Sequence, residues 1–315
     1  MGNKTHPHLK AFGLLVFAGL LFAPQTRSWG VGRTFRRIVK NRNANRGQTQ
    51  RLRTDGVAWG DLAWAKHLGD RCYTAAVASP GGRFFVGCRD NRVYGFKKSR
   101  QSAWHIQAGR DVDSTPAVGP AGNVYFGSDD GSLYKVSPKG RRIWKKNIGS
   151  VIYSSPSVAL DGRIYFGSRD NCLYALEPDG SRAWRTCLAS DVDGSPLVGP
   201  DGTVYCGTKK GVFFAVGHEG RLRWKTALKG SIYGRPIMSP GGGIFVTTAN
   251  NRLYRLDRHG KIFWQTRVNT AGKQGALMAP DGNLYLWSPH LGVVAFDQQG
   301  RRKWVGRMPD AGFGF

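Results

Sequence analysis

Residues 162–184 read GRIYFGSRDNCLYALEPDGSRAW, and recognisable copies of this stretch return along the chain every 40 residues. Its closing residue, Trp184, shares strict register with Trp64, Trp104, Trp144, Trp224, Trp264 and Trp304. Tyr94, Tyr134, Tyr174, Phe214 and Tyr254 hold the place ten residues earlier, with Val294 in the sixth copy. Gly140, Gly180, Gly220, Gly260 and Gly300 stand four residues before their tryptophans, and Arg100 interrupts that series once. Pro116, Pro156, Pro196 and Pro236 mark a further phase, replaced by Ala76 and Ala276 in the outer copies. Self-similarity at about 40 residues is the signature of a repeat architecture and suits one four-stranded propeller blade.

One unit divides at its turns into strands over 150–159, 163–168, 172–176 and 181–187. Proline presets the backbone angle at the first corner of a turn, and glycine accepts the positive φ needed later. Runs such as Ile164-Tyr165-Phe166 suit a pleated surface and are apolar on consecutive residues, as strands buried on both faces are. Nothing in 57–307 carries a helical period. The expectation is an all-β, six-bladed β-propeller of four-stranded antiparallel blades over 57–307, with one extra N-terminal strand at 57–66. That orphan strand can complete the last blade by displacing or flanking the Trp304 segment. A seven-bladed ring would need three more strands than the chain supplies. The seven tryptophans are expected to stack inside or between blades.

The unit quoted above resembles the quinoprotein-like (PQQ-like) β-propeller repeat over 57–307. That family includes periplasmic dehydrogenases that hold pyrroloquinoline quinone and calcium. It also includes cofactor-free binding scaffolds of the bacterial envelope. This chain departs from the dehydrogenases: no two cysteines are adjacent, and its only glutamates are Glu177 and Glu219. The resemblance therefore implies the fold and a cofactor-free scaffold more than PQQ and calcium chemistry, and fold alone does not fix function.

Charge is the second conspicuous property. The formal net charge is +27, and residues 1–54 hold eleven Lys or Arg and no acid. Within the repeats, bases gather near the fourth strand: Arg141, Arg142, Lys145 and Lys146; Arg221, Arg223 and Lys225; Arg301, Arg302 and Lys303. Cations on edge strands discourage strand addition by other chains. The same rim would also attract an anionic partner such as lipopolysaccharide, an acidic polymer or anionic lipid. No module for sequence-specific nucleic-acid reading is present.

Residues 1–30 read as a signal peptide or short anchor: Lys4 and Lys10 precede a 13-residue apolar run over 11–23, short for a membrane span. Residues 31–56 read as a basic disordered arm and 308–315 as a tail. An exported, periplasmic or envelope-associated location follows, with peripheral membrane association through the N-terminus as an option. The five cysteines do not spell a disulfide framework. Cys88 and Cys206 read as small core residues, whereas Cys172 and Cys187 lie on adjoining strands and can face one another.

Aligning the first strands brings Tyr73, Asp113, Tyr153, Asp193, Tyr233 and Lys273 to one phase. First strands line a propeller's channel, so this ring forms the expected funnel, flanked by Asp111 and Asp191 and by loops bearing Arg89-Asp90, Asp129-Asp130, Arg169-Asp170 and Lys209-Lys210. Such a polar, aromatic mouth is a plausible ligand site; alternatively its charges satisfy one another in a wet channel, with Lys273 pairing a carboxylate. Histidines fall at scattered phases without metal-ligand spacing, and no nucleophile elbow occurs. The sequence thus favours a non-enzymatic scaffold binding a protein or anionic partner through funnel or rim. The alternatives are an anionic polymer or lipopolysaccharide binder and a quinone- or metal-dependent oxidoreductase.

Overall fold

Four short extended runs, the second and third apolar, separated by Gly- and Asp-bearing turns, leave each repeat one compact solution, an antiparallel sheet wound out from its first strand. The computed structural model describes residues 53–54, 57–58, 68–97, 102–268, 275–288 and 291–306. The chain forms two units, Ala18–Ala65 and a larger one comprising Met1–Phe17 with Lys66–Phe315. In the smaller unit, Arg53–Thr54 pairs antiparallel with Val57–Ala58.

The larger unit holds six four-stranded sheets, each built from one contiguous repeat in sequential strand order. Together they make the six-bladed propeller that the period predicts. Blade 3 is representative: Ser157–Val158, Ile164–Gly167, Cys172–Leu176 and Arg182–Cys187, with each strand antiparallel to the next. Blades 1, 2, 4, 5 and 6 repeat it over 77–107, 117–147, 197–227, 237–267 and 277–306. The sixth blade takes its fourth strand, Arg302–Gly306, from its own repeat. The expected orphan strand therefore does not displace the Trp304 segment, and its described portion pairs with Arg53–Thr54 instead. The rest of 57–66, including Trp64, lies outside the described residues.

The first strand is shorter in its own sheet than 150–159, because most of that segment bonds to neighbouring blades. Ile152 N donates to Ser128 O at 3.3 Å and Ser155 N to Ser195 Oγ at 3.0 Å. Within a blade, the Ser154 hydroxyl donates to Gly167 O and accepts from Gly167 N, at 2.9 and 2.6 Å. Gly167 has to lack a side chain, since a Cβ there would lie 2.1 Å from Val192 O of blade 4.

The apolar core sits at the junctions between blades. Five clusters each draw on two consecutive blades; at blades 3 and 4, for example, Tyr165 and Leu173 meet Val192, Val204 and Phe214. Among the described residues, the sixth cluster stays within blade 1 around Cys72, Val86, Cys88 and Phe96. Burial on both faces explains the consecutive apolar residues of the second and third strands.

Each of Trp104, Trp144, Trp184, Trp224 and Trp264 performs two tasks. Its ring packs on an aromatic of its own blade's second strand, with centroids 5.7 Å apart for Tyr165 and Trp184. Its indole N–H then reaches the next blade: Trp104 donates to Pro138 O, Trp144 to Pro178 O, Trp184 to His218 O, Trp224 to Arg258 O and Trp264 to Gln298 O, all at 2.7–3.3 Å. The glycine of that turn lies under the ring. At Gly220, with φ +90°, a Cβ would come within 2.7 Å of Trp184. Trp304 belongs to the last repeat, stacks on Tyr285 and is 42% exposed.

Cys172 and Cys187 are direct cross-strand partners and are disulfide-bonded. Cys88 is not the free core residue expected from its strand position. It is bonded to Cys72, which the first segment of blade 1 brings alongside, as Arg89 N donating to Arg71 O at 3.0 Å shows. Cys206 remains free and buried, and burial pushes its thiol pKa up to about 12.

Candidate functional site

The channel-mouth residues assemble into two copies of one arrangement, separated by 80 residues in the chain. In the first, the Arg89 guanidinium forks onto Asp113, with Nε to Oδ1 at 2.9 Å and Nη2 to Oδ2 at 2.8 Å. The same guanidinium lies 4.7 Å from the centre of the Tyr73 ring. In the second, Arg169 forks onto Asp193 at 3.0 and 3.4 Å and lies 4.9 Å from the Tyr153 ring. Each arginine sits on the loop after the second strand of an odd-numbered blade. Each aspartate comes from the first strand of the following even-numbered blade, so both sets bridge a blade junction. Tyr233, from blade 5, meets the Tyr153 ring edge-on with centroids 6.5 Å apart. Lys273 lies outside the described residues.

The funnel is thus differently charged from a ring of free carboxylates. Asp193 is 1% exposed and Asp113 is buried, and both are neutralised by the guanidinium forks. What faces solvent is the aromatic and cationic side of each set, with Tyr73 56% exposed. Asp111 flanks Arg89 at 3.9 Å, and Asp191 pairs with Lys209 at 3.4 Å. Sequence reasoning placed Arg89 and Arg169 nearby without assigning them this role. The signal was available: Arg89 and Arg169 each precede an aspartate by 24 residues, and in the third 80-residue copy both members change together, to Ala249 and Lys273.

One acidic group at the mouth is not neutralised. Burial, followed by the neighbouring Asp113 carboxylate, pushes the Asp129 carboxyl above its usual range, with Arg169 opposing. Its Oδ1 is buried without a hydrogen-bond partner. Burial and the Asp113 and Asp193 carboxylates likewise raise the Tyr153 hydroxyl. Elsewhere the aspartates of these loops are structural. Asp90, Asp130 and Asp170 accept from Tyr94, Tyr134 and Tyr174, four residues on. Burial would raise Asp130, but the Tyr134 hydroxyl and the Lys145 ammonium hold it below its ordinary value.

The ten basic residues lie on or beside the fourth strands, at the outer edge of each sheet, and these strands are largely exposed. Three of the ten are already committed: Lys145 to Asp130 at 3.0 Å, Arg223 to Asp201 at 3.1 Å and Arg301 to Asp297 at 2.7 Å. Arg141, Arg142, Lys146, Arg221, Lys225, Arg302 and Lys303 make no ion-pair contact with an acid among the described residues.

These donors do not fit a quinone with its calcium ion, which needs six to eight oxygen ligands. The funnel carboxylates Asp113 and Asp193 spend their oxygens on guanidinium groups. Glu177 pairs with Arg163 and Glu219 with His218, both around the turns between third and fourth strands.

Six contiguous blades pinned by repeated tryptophans, with a polar mouth on one face, define a quinoprotein-like repeat propeller. The family model described as outer membrane protein assembly factor BamB matches residues 89–191 and 169–312. The chain belongs to that family. No curated protein matches the sequence. Among solved structures, BamB from Moraxella catarrhalis superposes with a TM-score of 0.62 at 17% identity, covering 74% of this chain and 75% of that one. A protein of unknown function from Bacteroides caccae superposes with a TM-score of 0.52 at 15% identity, covering 71% of this chain and 92% of that one. At these identities the likeness establishes the fold.

Proposed function

We propose that this chain is an exported, non-enzymatic scaffold of the bacterial-type envelope that holds a protein partner against the mouth of its channel. The observation that carries this reading is the pair of Tyr–Arg–Asp sets. In each, a buried carboxylate fixes the guanidinium, and the guanidinium fixes an aromatic ring, so the surface is ordered before any partner arrives. Preorganised side chains lose little entropy on association. Tyrosine and arginine are among the residues that concentrate binding energy at interfaces. The envelope address is supported by the family's description and by two disulfides, which persist in oxidising compartments.

The test is an affinity pull-down from envelope extract with the wild type, the funnel variant Tyr73→Ala/Arg89→Ala and the rim variant Arg141→Gln/Arg142→Gln/Lys146→Gln. The expected result is a specific protein lost by the funnel variant and kept by the rim variant at high salt. The opposite pattern, capture that depends on the rim and is stripped by salt, would move the assignment to an anionic partner. That second reading rests on the seven rim cations that make no ion-pair contact among the described residues, and attraction of that kind is strongly screened by salt.

A further inference from the structure

A series of short hydroxyl side chains stitches together the first segments of blades 1 to 4. Thr115 Oγ1 accepts from Ala75 N at 3.2 Å, Ser155 Oγ from Thr115 N at 2.9 Å and Ser195 Oγ from Ser155 N at 3.0 Å. The next position in this series is Arg235. It cannot continue the pattern, and Ser195 N donates to Tyr233 O at 3.3 Å instead. The guanidinium of Arg235 leaves blade 5, passes blade 4 and donates from Nη2 to Pro156 O of blade 3 at 2.7 Å. It therefore stands across the channel.

The surroundings of this cation are unusual. Arg235 keeps solvent-accessible surface although its side chain lies deep among protein atoms. Burial lowers its pKa, and the titratable group beside it, Cys206, is a thiol whose own pKa is raised, so it supplies no counter-charge. A guanidinium offers five N–H donors. This one makes a single hydrogen bond, to a carbonyl, and no ion pair among the described residues. The mouth arginines, by contrast, are each paired with a carboxylate. A charge in such surroundings is costly unless a counter-charge joins it.

We propose that Arg235 is the anchor of a carboxylate-binding site inside the channel, adjoining the mouth surface through Tyr153. The single positive charge matches a monoanion, and the planar fork matches a carboxylate. Tyr153 and Tyr233, whose rings meet two or three residues up-strand of Pro156 and Arg235, supply aromatic faces for a flat apolar body attached to that carboxylate. The class of ligand is a small aromatic or apolar monocarboxylic acid.

Calorimetry and thermal melting of the full chain with benzoate test the proposal, with benzamide as the neutral isostere and inorganic phosphate as a generic anion. The wild type should bind benzoate saturably and melt higher in its presence, while benzamide has no effect and phosphate acts more weakly. In Arg235→Met the benzoate affinity should fall by roughly tenfold to a hundredfold, the scale of one lost charge-assisted contact. A Met side chain spares the buried charge, so this variant should fold; Arg235→Lys, which keeps the charge and loses the fork, is the second probe and should also weaken binding. Perturbation of the Arg235 Nε resonance by benzoate in the wild type gives a readout independent of any variant. An equal response to benzamide, an undiminished response in Arg235→Met, or a silent Nε resonance would overturn the assignment.

Discussion

Trp184 donates its indole N–H to the carbonyl oxygen of His218 at 2.7 Å, joining the fourth strand of blade 3 to a turn of blade 4. The two residues are 34 apart, and the same bond recurs at the other four described junctions between consecutive repeats. The tryptophan period is therefore the period of a joint between sheets, and its stability cost can be measured one joint at a time.

Trp184→Ala removes a packed ring and one of the two donors to the His218 carbonyl, Arg163 Nη1 keeping the other at 3.1 Å, and it should cost about 3 kcal/mol, the lower end for an aromatic truncation because the indole is half-buried. Trp304→Ala, at an exposed ring that stacks within its own blade, should cost about 1 kcal/mol. Urea unfolding of both variants checks the ratio; equal losses would mean that the joint contributes nothing beyond packing.

The disulfides predict a thiol inventory. Under denaturing, non-reducing conditions only the free Cys206 should react with a thiol reagent; after reduction all five cysteines should. Cys172→Ala/Cys187→Ala opens a bridge between residues 15 apart and should cost about 3 kcal/mol. Mass spectrometry of the alkylated protein, paired with urea melts, reads both.

Asp129 sets a pH dependence. Its carboxyl pKa is raised on folding, by burial first and then by Asp113, so the folded state holds this proton more tightly than the unfolded chain does. The associated stability is fully present below the ordinary carboxylate pKa and is lost as pH rises through the raised value. Asp129→Asn should therefore be more stable than the wild type at neutral pH, with the difference vanishing in acid. Melting curves of the two proteins across pH give the test, and a gain that persists in acid would point to a cause other than ionisation.

The blades were legible because a period survives any uncertainty about individual strands. Proline, glycine and tryptophan at fixed phase define the turns and the joints without reference to tertiary contacts. The first strand was overestimated because 151–156 looks extended in sequence, as it is, but bonds to neighbouring blades instead of to its own sheet. The funnel candidates share one phase of the repeat, and their charge balance was not readable from that phase alone. Arg89 and Arg169 reach Asp113 and Asp193 from a different loop on a different blade, 24 residues earlier. Cys72 escaped for a similar reason: its partner lies on a strand reached only after the chain has turned back. Arg235 looked like one more base in a basic protein, and only its place in the hydroxyl series set it apart.

Among the described residues no strand is shared between blades; each sheet is drawn from one repeat. A gene could therefore gain or lose a whole 120-base-pair cassette of 40 codons without cutting a hydrogen-bonded ladder, changing only how many wedges meet around the axis. Alternating odd and even blades at the mouth, with their Tyr–Arg and Asp halves, have the look of such growth by doubled cassettes. A lineage built this way can resize its ring and keep its joints.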